Sequence, residues 1–139
     1  MKTRRGFLTT ALTGSLVLSG CTSLVEPNPK TNIKLIRVVN SNQKRHEVRT
    51  VLMRQDSVVF ADQQTANAQE DEVTGGYVLS EGWKKEPGKH TIAVKIDDSP
   101  WRQRTLENPE GSDCLSVIIR IQDDGEGVIL TQSGRTCPS

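Results

Sequence analysis

Apolar and polar residues alternate in two stretches of the chain, and this period of two sets the class of fold. In residues 90–97 the regularly spaced apolar residues are Ile92, Val94 and Ile96, and residues 115–121 repeat the pattern. Successive side chains of a β-strand point to opposite faces of its sheet, so one face of each stretch would be buried and the other would meet water. Both stretches are therefore predicted to be half-buried strands.

Further strands are predicted at roughly regular intervals. They cover residues 33–39, 48–53, 58–60, 77–79 and 128–131, with a weaker candidate at residues 101–106. An Asp-Asp-Gly-Glu-Gly segment separates residues 115–121 from residues 128–131, which predicts a β-hairpin with its turn at Asp124 and Gly125. Seven or eight short strands without long helical crossovers are typical of an antiparallel β-sandwich, so the fold class is predicted to be all-β.

Residues 61–74 are too polar for a buried strand and are predicted to form a mobile loop or one turn of helix. The acidic run Glu70-Asp71-Glu72 lies within this segment and could bind a cation or a partner. Carboxylates that are adjacent in sequence usually point apart into water, whereas a calcium site needs converging oxygens. The run is therefore interpreted as part of a solvated loop.

The first twenty residues have the three parts of an export signal. A positively charged start that includes Arg4 and Arg5 precedes an apolar stretch at residues 7–18, and a Leu-Ser-Gly-Cys lipobox ends at Cys21. The apolar stretch is shorter than the roughly 20 residues that span a membrane, so cleavage before Cys21 is predicted. The arginine pair resembles the twin-arginine motif for export of folded proteins, although two arginines also serve the general secretory route.

Cleavage would leave one domain anchored by lipid to the extracytoplasmic side of the cell membrane. Residues 1–20 form the predicted signal peptide, residues 21–30 an extended tether that contains prolines, and residues 31–139 a single domain. Acylated Cys21 would make membrane lipid a partner of the protein. Loss of the signal removes three positive charges and changes the net charge from +1 to −2, which leaves no basic surface for nucleic acid.

Two of the three cysteines lie on the two arms of the predicted C-terminal hairpin. Residues that pair across a hairpin have numbers with a constant sum, and a turn centred on Asp124 and Gly125 makes that sum 249. Cys114 then faces position 135, and Cys137 lies two residues further. A Cys114–Cys137 disulfide is predicted, and it would stabilise the fold by about 3 kcal/mol. A redox-active pair is the alternative, but Cys-x-x-Cys spacing is absent.

Candidate catalytic and metal-binding residues are few. His46 and His90 lie near predicted strand ends, without metal-ligand spacing, and are interpreted as side chains packed or hydrogen-bonded locally. The chain has no Gly-x-Ser-x-Gly elbow, and no cysteine is closely followed by His and Met as a blue-copper site requires. No metal, cofactor or catalytic residue is predicted. Ser-His-Asp triads assemble from distant positions, so a hydrolase stays an alternative.

Trp83, Gly75 and Gly76 are the candidate binding residues. Trp83 lies in a polar segment at residues 80–86, where an exposed indole could stack on a sugar or anchor a partner protein. A cap on one end of the sandwich core is the alternative for Trp83. The glycine pair has no phosphate-loop context and is typical of a turn or bulge. Trp101 begins a predicted strand and is interpreted as structural.

Several motifs together resemble a family of small lipoproteins. They are the twin-arginine signal with its lipobox, the short tether, Ile-Lys-Leu-Ile-Arg-Val-Val-Asn at residues 33–40, His-Glu-Val at residues 46–48, Pro-Gly-Lys-His at residues 87–90, and a cysteine on each arm of the last hairpin. In this combination the chain resembles the small uncharacterised lipoproteins of halophilic archaea. The resemblance implies an immunoglobulin-like or transthyretin-like β-sandwich and brings no catalytic residues with it.

These observations favour a non-enzymatic surface lipoprotein whose β-sandwich serves binding or envelope structure. One alternative is a solute- or glycan-binding module of a surface complex, in which loops bearing Trp83 and Gly75-Gly76 would line a pocket. The second alternative is a secreted hydrolase, in which a histidine, a nucleophilic hydroxyl and a carboxylate would converge.

Intact mass spectrometry of the protein from the membrane fraction tests the anchor and the disulfide together. We expect a mass that matches cleavage before Cys21 plus acyl chains, and two alkylated cysteines that appear only after reduction. An unacylated mass with both thiols alkylated before reduction would contradict the two predictions.

Overall fold

Nine β-strands make up the regular structure of the computed structural model, which describes residues 30–107 and 114–134. The strands are β1 (Lys30–Thr31), β2 (Ile33–Asn40), β3 (His46–Arg54), β4 (Ser57–Ala66), β5 (Gly75–Leu79), β6 (Gly88–Ile96), β7 (Arg102–Thr105), β8 (Cys114–Ile121) and β9 (Gly127–Gly134). The described residues contain no helix. The predicted all-β class is therefore confirmed, with β1 as a short strand that the sequence pattern did not reveal.

The strands form two sheets, as a β-sandwich requires. The first sheet has the order β1-β6-β3-β4, and β7 also pairs with β6; the second has the order β5-β2-β8-β9. Every pair is antiparallel except β2 and β8, which run parallel from Ile33↔Leu115 to Asn40↔Ile121. Parallel neighbours need a long connection. Here the chain between β2 and β8 includes five of the other strands, β3 to β7.

The core lies between the inner faces of the two sheets. In β6 the predicted inward residues Ile92, Val94 and Ile96 are all buried, and the same alternation buries one side of β8. The core residues of β2, β3 and β8 include Ile33, Ile36, Val38, Val48, Leu52, Leu115, Val117, Ile119 and Ile121. Burying a large aliphatic side chain contributes roughly 1.5–3 kcal/mol, so these two faces supply the main stabilisation of the fold.

Strand β4 is longer than the sequence pattern indicates, so the loop predicted for residues 61–74 is wrong in its first part. Gln63 and Gln64 pair with Arg49 and Val48 inside the strand. β4 is the edge of its sheet, and most of its residues are exposed or half-buried. An edge strand can form with polar side chains because its backbone still pairs with one neighbour and water satisfies the other side.

The turn between β8 and β9 differs from the prediction by one residue. Gly125 has a φ of 86°, and its N–H donates to the carbonyl oxygen of Gln122 at 2.8 Å, while the Gln122 N–H donates to Glu126 at 2.8 Å. This is a three-residue loop with a glycine bulge. It places Cys114 opposite Gly134, not opposite position 135.

The predictions for both ends of the chain fall outside the described residues. These are the signal with Arg4 and Arg5, the anchor at Cys21, and Cys137, so the Cys114–Cys137 disulfide stays a prediction. Cys114 itself is fully buried at the start of β8. Strand β1 begins at Lys30, the last residue of the predicted tether. In the described part of the chain, no helix has the length and hydropathy needed to cross a membrane.

Gly75 and Gly76 open β5, where the backbones of neighbouring segments approach closely. A Cβ at Gly75 would overlap the carbonyl oxygen of Asn67, and a Cβ at Gly76 would overlap that of Val38. Gly76 also has a φ of +129°, a conformation that residues with a Cβ rarely adopt. Gly76 is therefore required by the packing of β5 on β2, and Gly75 by the packing of β5 against the segment that follows β4.

Replacing Gly76 by alanine should destabilise the domain by more than about 1 kcal/mol, because the added Cβ meets backbone that cannot move away and the residue is held at positive φ. Urea unfolding followed by circular dichroism measures the effect. Gly134→Ala is the matched control, since a Cβ there would meet nothing closer than 3.6 Å. Equal stability of the two variants would show that the close approach is wrong.

Candidate functional site

His90 is a structural residue of the core edge. It is 1% exposed, and its Nδ1 lies 3.1 Å from the hydroxyl of Thr31 and 3.2 Å from the carbonyl oxygen of Gly88. Burial lowers the pKa of His90, which favours the neutral ring. These contacts join β1 to β6, as expected for a histidine hydrogen-bonded locally.

His46 is held between two polar side chains at the start of β3. Its Nδ1 lies 2.6 Å from Oδ2 of Asp97, and its Nε2 lies 2.8 Å from Oδ1 of Asn42. Asn42 Oδ1 also accepts the N–H of Lys44. Both ring nitrogens of His46 therefore have a polar partner within the protein.

The two histidines lie at opposite ends of the first sheet. His46 begins β3, whereas His90 pairs with Arg54 at the other end of the same strand. Eight residues of extended strand separate these positions, which corresponds to about 26 Å. The histidines therefore cannot act together on one substrate or one metal ion. In the described segments, no group of three or more His, Cys, Asp or Glu side chains converges as metal ligands would.

Asp97 ends β6 and connects it to β3. Its Oδ1 accepts the N–H of Glu47 at 2.9 Å, and its φ is 52°, in the left-handed region that aspartate and asparagine tolerate well. Burial alone would raise the pKa of Asp97. The hydrogen bonds from His46 and from the Glu47 N–H outweigh burial and lower it below the ordinary value.

The acidic run forms a tight turn. Glu70 and Val73 exchange backbone hydrogen bonds of 2.9 and 2.8 Å, and Asp71 and Glu72 between them both have positive φ. Arg45 lies beside this turn in an open depression. The carboxylates are exposed, as the solvated-loop interpretation predicts.

Trp83 is part of the core. It is 9% exposed, and its indole N–H donates to the carbonyl oxygen of Ile33 at 3.0 Å. Phe60 packs edge-on to it at 4.9 Å between ring centroids, and the ammonium of Lys85 lies 3.6 Å from its ring centroid. The alternative that Trp83 caps the core is therefore confirmed. Trp83 presents no free ring face for a ligand. It therefore cannot line the pocket that was predicted to lie beside Gly75 and Gly76.

Trp101 has the opposite placement, so its interpretation as a structural residue is wrong. It is 48% exposed and borders a shallow groove of about 320 Å³ on the outer face of the first sheet. The floor of the groove includes Val51 and Ala61, and its rim includes Arg49 and Gln63. The Arg-Gln-Arg-Thr sequence of β7 gave a signal that could have been used, because a strand without apolar residues has no face to bury.

A cavity of about 240 Å³ opens between the two sheets near the β8–β9 turn. Its lining is mainly apolar, and among the described residues Arg102 and Glu126 are the charged ones in it. The guanidinium Nη2 of Arg102 lies 2.8 Å from Oε1 of Glu126, with both side chains more than half exposed. The sequence gives no local signal of this cavity, since it forms from three separate segments.

Two buried hydroxyl groups lie on β3 and β5. Among the residues that the structure describes, the Oγ1 of Thr50 and the phenolic oxygen of Tyr77 have no hydrogen-bond partner. Burial raises the pKa of Tyr77 far above its usual range, and the negative charge of Asp62 adds to the effect. Tyr77 therefore stays neutral and acts as a packing residue at physiological pH.

Comparisons with known proteins add no further information on the site. No family model, curated protein sequence or solved structure matches this chain. The class that the structure defines is thus an all-β sandwich with an exposed tryptophan groove on one sheet and an apolar cavity between the sheets.

Replacing Asp97 by asparagine isolates the charge of this side chain, because asparagine also tolerates the positive φ at this position. Above the ordinary aspartate pKa of about 3.9, we expect the variant to be less stable by roughly 1 kcal/mol, a small value because Asp97 is half exposed.

The native Asp97 pKa is lowered, so the stabilisation is complete above the unfolded-state pKa and is lost as the pH falls through the folded-state value. The difference between variant and wild type should therefore shrink below about pH 4. Urea unfolding between pH 2.5 and pH 7 measures it. A difference that is constant across this range would contradict the role of the charge.

Proposed function

We propose that this protein is a lipid-anchored, extracytoplasmic β-sandwich with a non-enzymatic binding function, and that its ligand is a glycan of the cell envelope. The exposed indole of Trp101 beside its polar-rimmed groove is the observation that carries the proposal. The lipobox at Cys21 supplies the proposed location.

The groove combines the two kinds of surface that a sugar requires. Strand register places Val51 between Ala61 of β4 and Ala93 of β6, which gives an apolar row across the first sheet. One step along the strands, Arg49 lies between Gln63 and Lys95 and forms a polar row. A sugar ring has an apolar face of C–H groups and a rim of hydroxyls, so it can contact both rows together.

Trp101 adds a large amphipathic ring next to these rows. Aromatic side chains supply much of the binding energy at recognition surfaces, because they bury a large area with little loss of conformational freedom. The side chains of the polar row also contact a neighbouring carboxylate. Gln63 donates to Glu47 at 3.0 Å, and Glu47 lies 3.6 Å from the guanidinium of Arg49.

The tether fits a ligand close to the membrane. Lys30, where β1 begins, is nine positions after Cys21, and an extended chain of this length spans about 30 Å. An acylated Cys21 would hold the domain within that distance of the lipid. Polysaccharides of the cell envelope lie in this zone.

Sedimentation of the mature protein with insoluble envelope polysaccharides, followed by a glycan array, tests the proposal. Trp101→Ala should reduce binding at least tenfold, because a central aromatic residue contributes more than about 1.4 kcal/mol to recognition. Val78→Ala is the matched control, since Val78 is 51% exposed on the second sheet. Wild-type binding by the Trp101→Ala protein, or no binding to any glycan, would overturn the proposal.

A further inference from the structure

We propose that the cavity between the sheets binds a small monocarboxylate, with the apolar body of the ligand inside and its carboxylate on Arg102 at the mouth. This site is separate from the groove at Trp101. It lies between the sheets, whereas the groove lies on the outer face of the first sheet.

The walls of the cavity come from both sheets. Val94 and Ile96 of β6 lie on one side, and Ile119 and Ile129 of the β8–β9 hairpin lie on the other. Native interiors are close-packed and leave few voids larger than a water molecule. An apolar void of about 150 Å³ already binds benzene, and the present cavity is about 240 Å³. Benzene has six carbon atoms, so at the same volume per carbon atom the present cavity has room for about eight to ten carbons.

The backbone keeps the hairpin close to β6 at the cavity without filling it. Gly127 is buried in the wall, and a Cβ there would overlap Cδ1 of Ile96. Glycine therefore lets the start of β9 approach β6 closely. On the same side, Arg104 donates from its guanidinium to the carbonyl oxygen of Ile129 and joins β7 to β9. This contact would keep β7 and β9 together if the Arg102 side chain moved away from Glu126.

The mouth can open readily. Arg102 and Glu126 are 52% and 57% exposed, and an exposed ion pair of this kind adds little to stability. Its separation would therefore cost the fold little. The displaced carboxylate of Glu126 can remain in water, because its side chain projects from the turn and is already more than half exposed.

Charge favours an anionic ligand. Two guanidinium groups, those of Arg102 and Arg104, stand at the β7–β9 edge, and Glu126 is the one carboxylate among the described residues that line the cavity. The hydrogen-bond acceptor of Arg104 is a neutral carbonyl group, that of Ile129. Arginine pairs with carboxylates through two parallel hydrogen bonds. A ligand carboxylate could therefore bind Arg102 in a defined orientation, in place of Glu126.

Titration calorimetry with eight-carbon ligands tests this inference. The protein is the mature chain with Cys21→Ser, which carries no acyl chain and needs no detergent that would compete for the cavity. Octanoate should bind, and its amide chemical-shift changes should centre on Val128 and Ile129. Octanol and octylamine, which have the same tail, should bind at least tenfold more weakly because neither can pair with a guanidinium.

Two variants separate the mouth from the wall. Arg102→Gln should weaken octanoate at least tenfold and leave octanol unchanged, whereas Arg37→Gln, at an exposed position on the outer face of the second sheet, should change neither. Val94→Leu adds a methylene to the wall, so the best ligand should become shorter, with hexanoate gaining relative to octanoate.

Each of these measurements has a result that would contradict the proposal. Octylamine binding as tightly as octanoate, or full octanoate affinity in Arg102→Gln, would overturn the assignment of the carboxylate to Arg102. Absence of binding for all carboxylates of six to ten carbons would overturn the site. Neither result would bear on glycan binding, which Trp101→Ala tests separately.

Discussion

The burial of two apolar sheet faces against each other is the interaction on which the rest of this structure depends. Residues such as Ile36, Leu52, Ile92 and Ile119 are fully buried, and they come from strands of both sheets. Because the core occupies this single layer, the charged contacts of the protein lie at an edge, a turn or an outer face. The His46–Asp97 contact, the acidic turn and the Arg102–Glu126 pair all lie at such places.

The same period of two explains how much of the fold the sequence could predict. Strands β6 and β8 carry the clearest alternation, and all the residues predicted to face inward in them are buried. Strand β4 lacks this signal in its second half because an edge strand does not need it. The parallel pairing joins β2 and β8, which are far apart in the chain, and no local sequence pattern specifies which strands pair.

The two tryptophans show where prediction of the candidate site failed. The polar residues around Trp83 suggested exposure, but the segment folds back so that the indole reaches Ile33, fifty residues earlier in the chain. That contact is set by tertiary structure, which overrides local polarity. The position of Trp101 at the start of a predicted strand favours a structural role, but the polar strand that follows has no buried face. A fully exposed β7 also explains why both proposed sites border this side of the first sheet.

The parallel pairing of β2 with β8 has a kinetic consequence. Ile33 finds its partner Leu115 only after more than eighty residues have been synthesised, so the centre of the second sheet closes late. Folds dominated by such distant pairings fold slowly, on a scale of milliseconds to seconds, because the loop entropy is lost before the contacts form. If the chain is exported as we propose, slow folding of this kind would favour completing the fold in the cytoplasm before it crosses the membrane. That is the order of events on the export route that Arg4 and Arg5 predict.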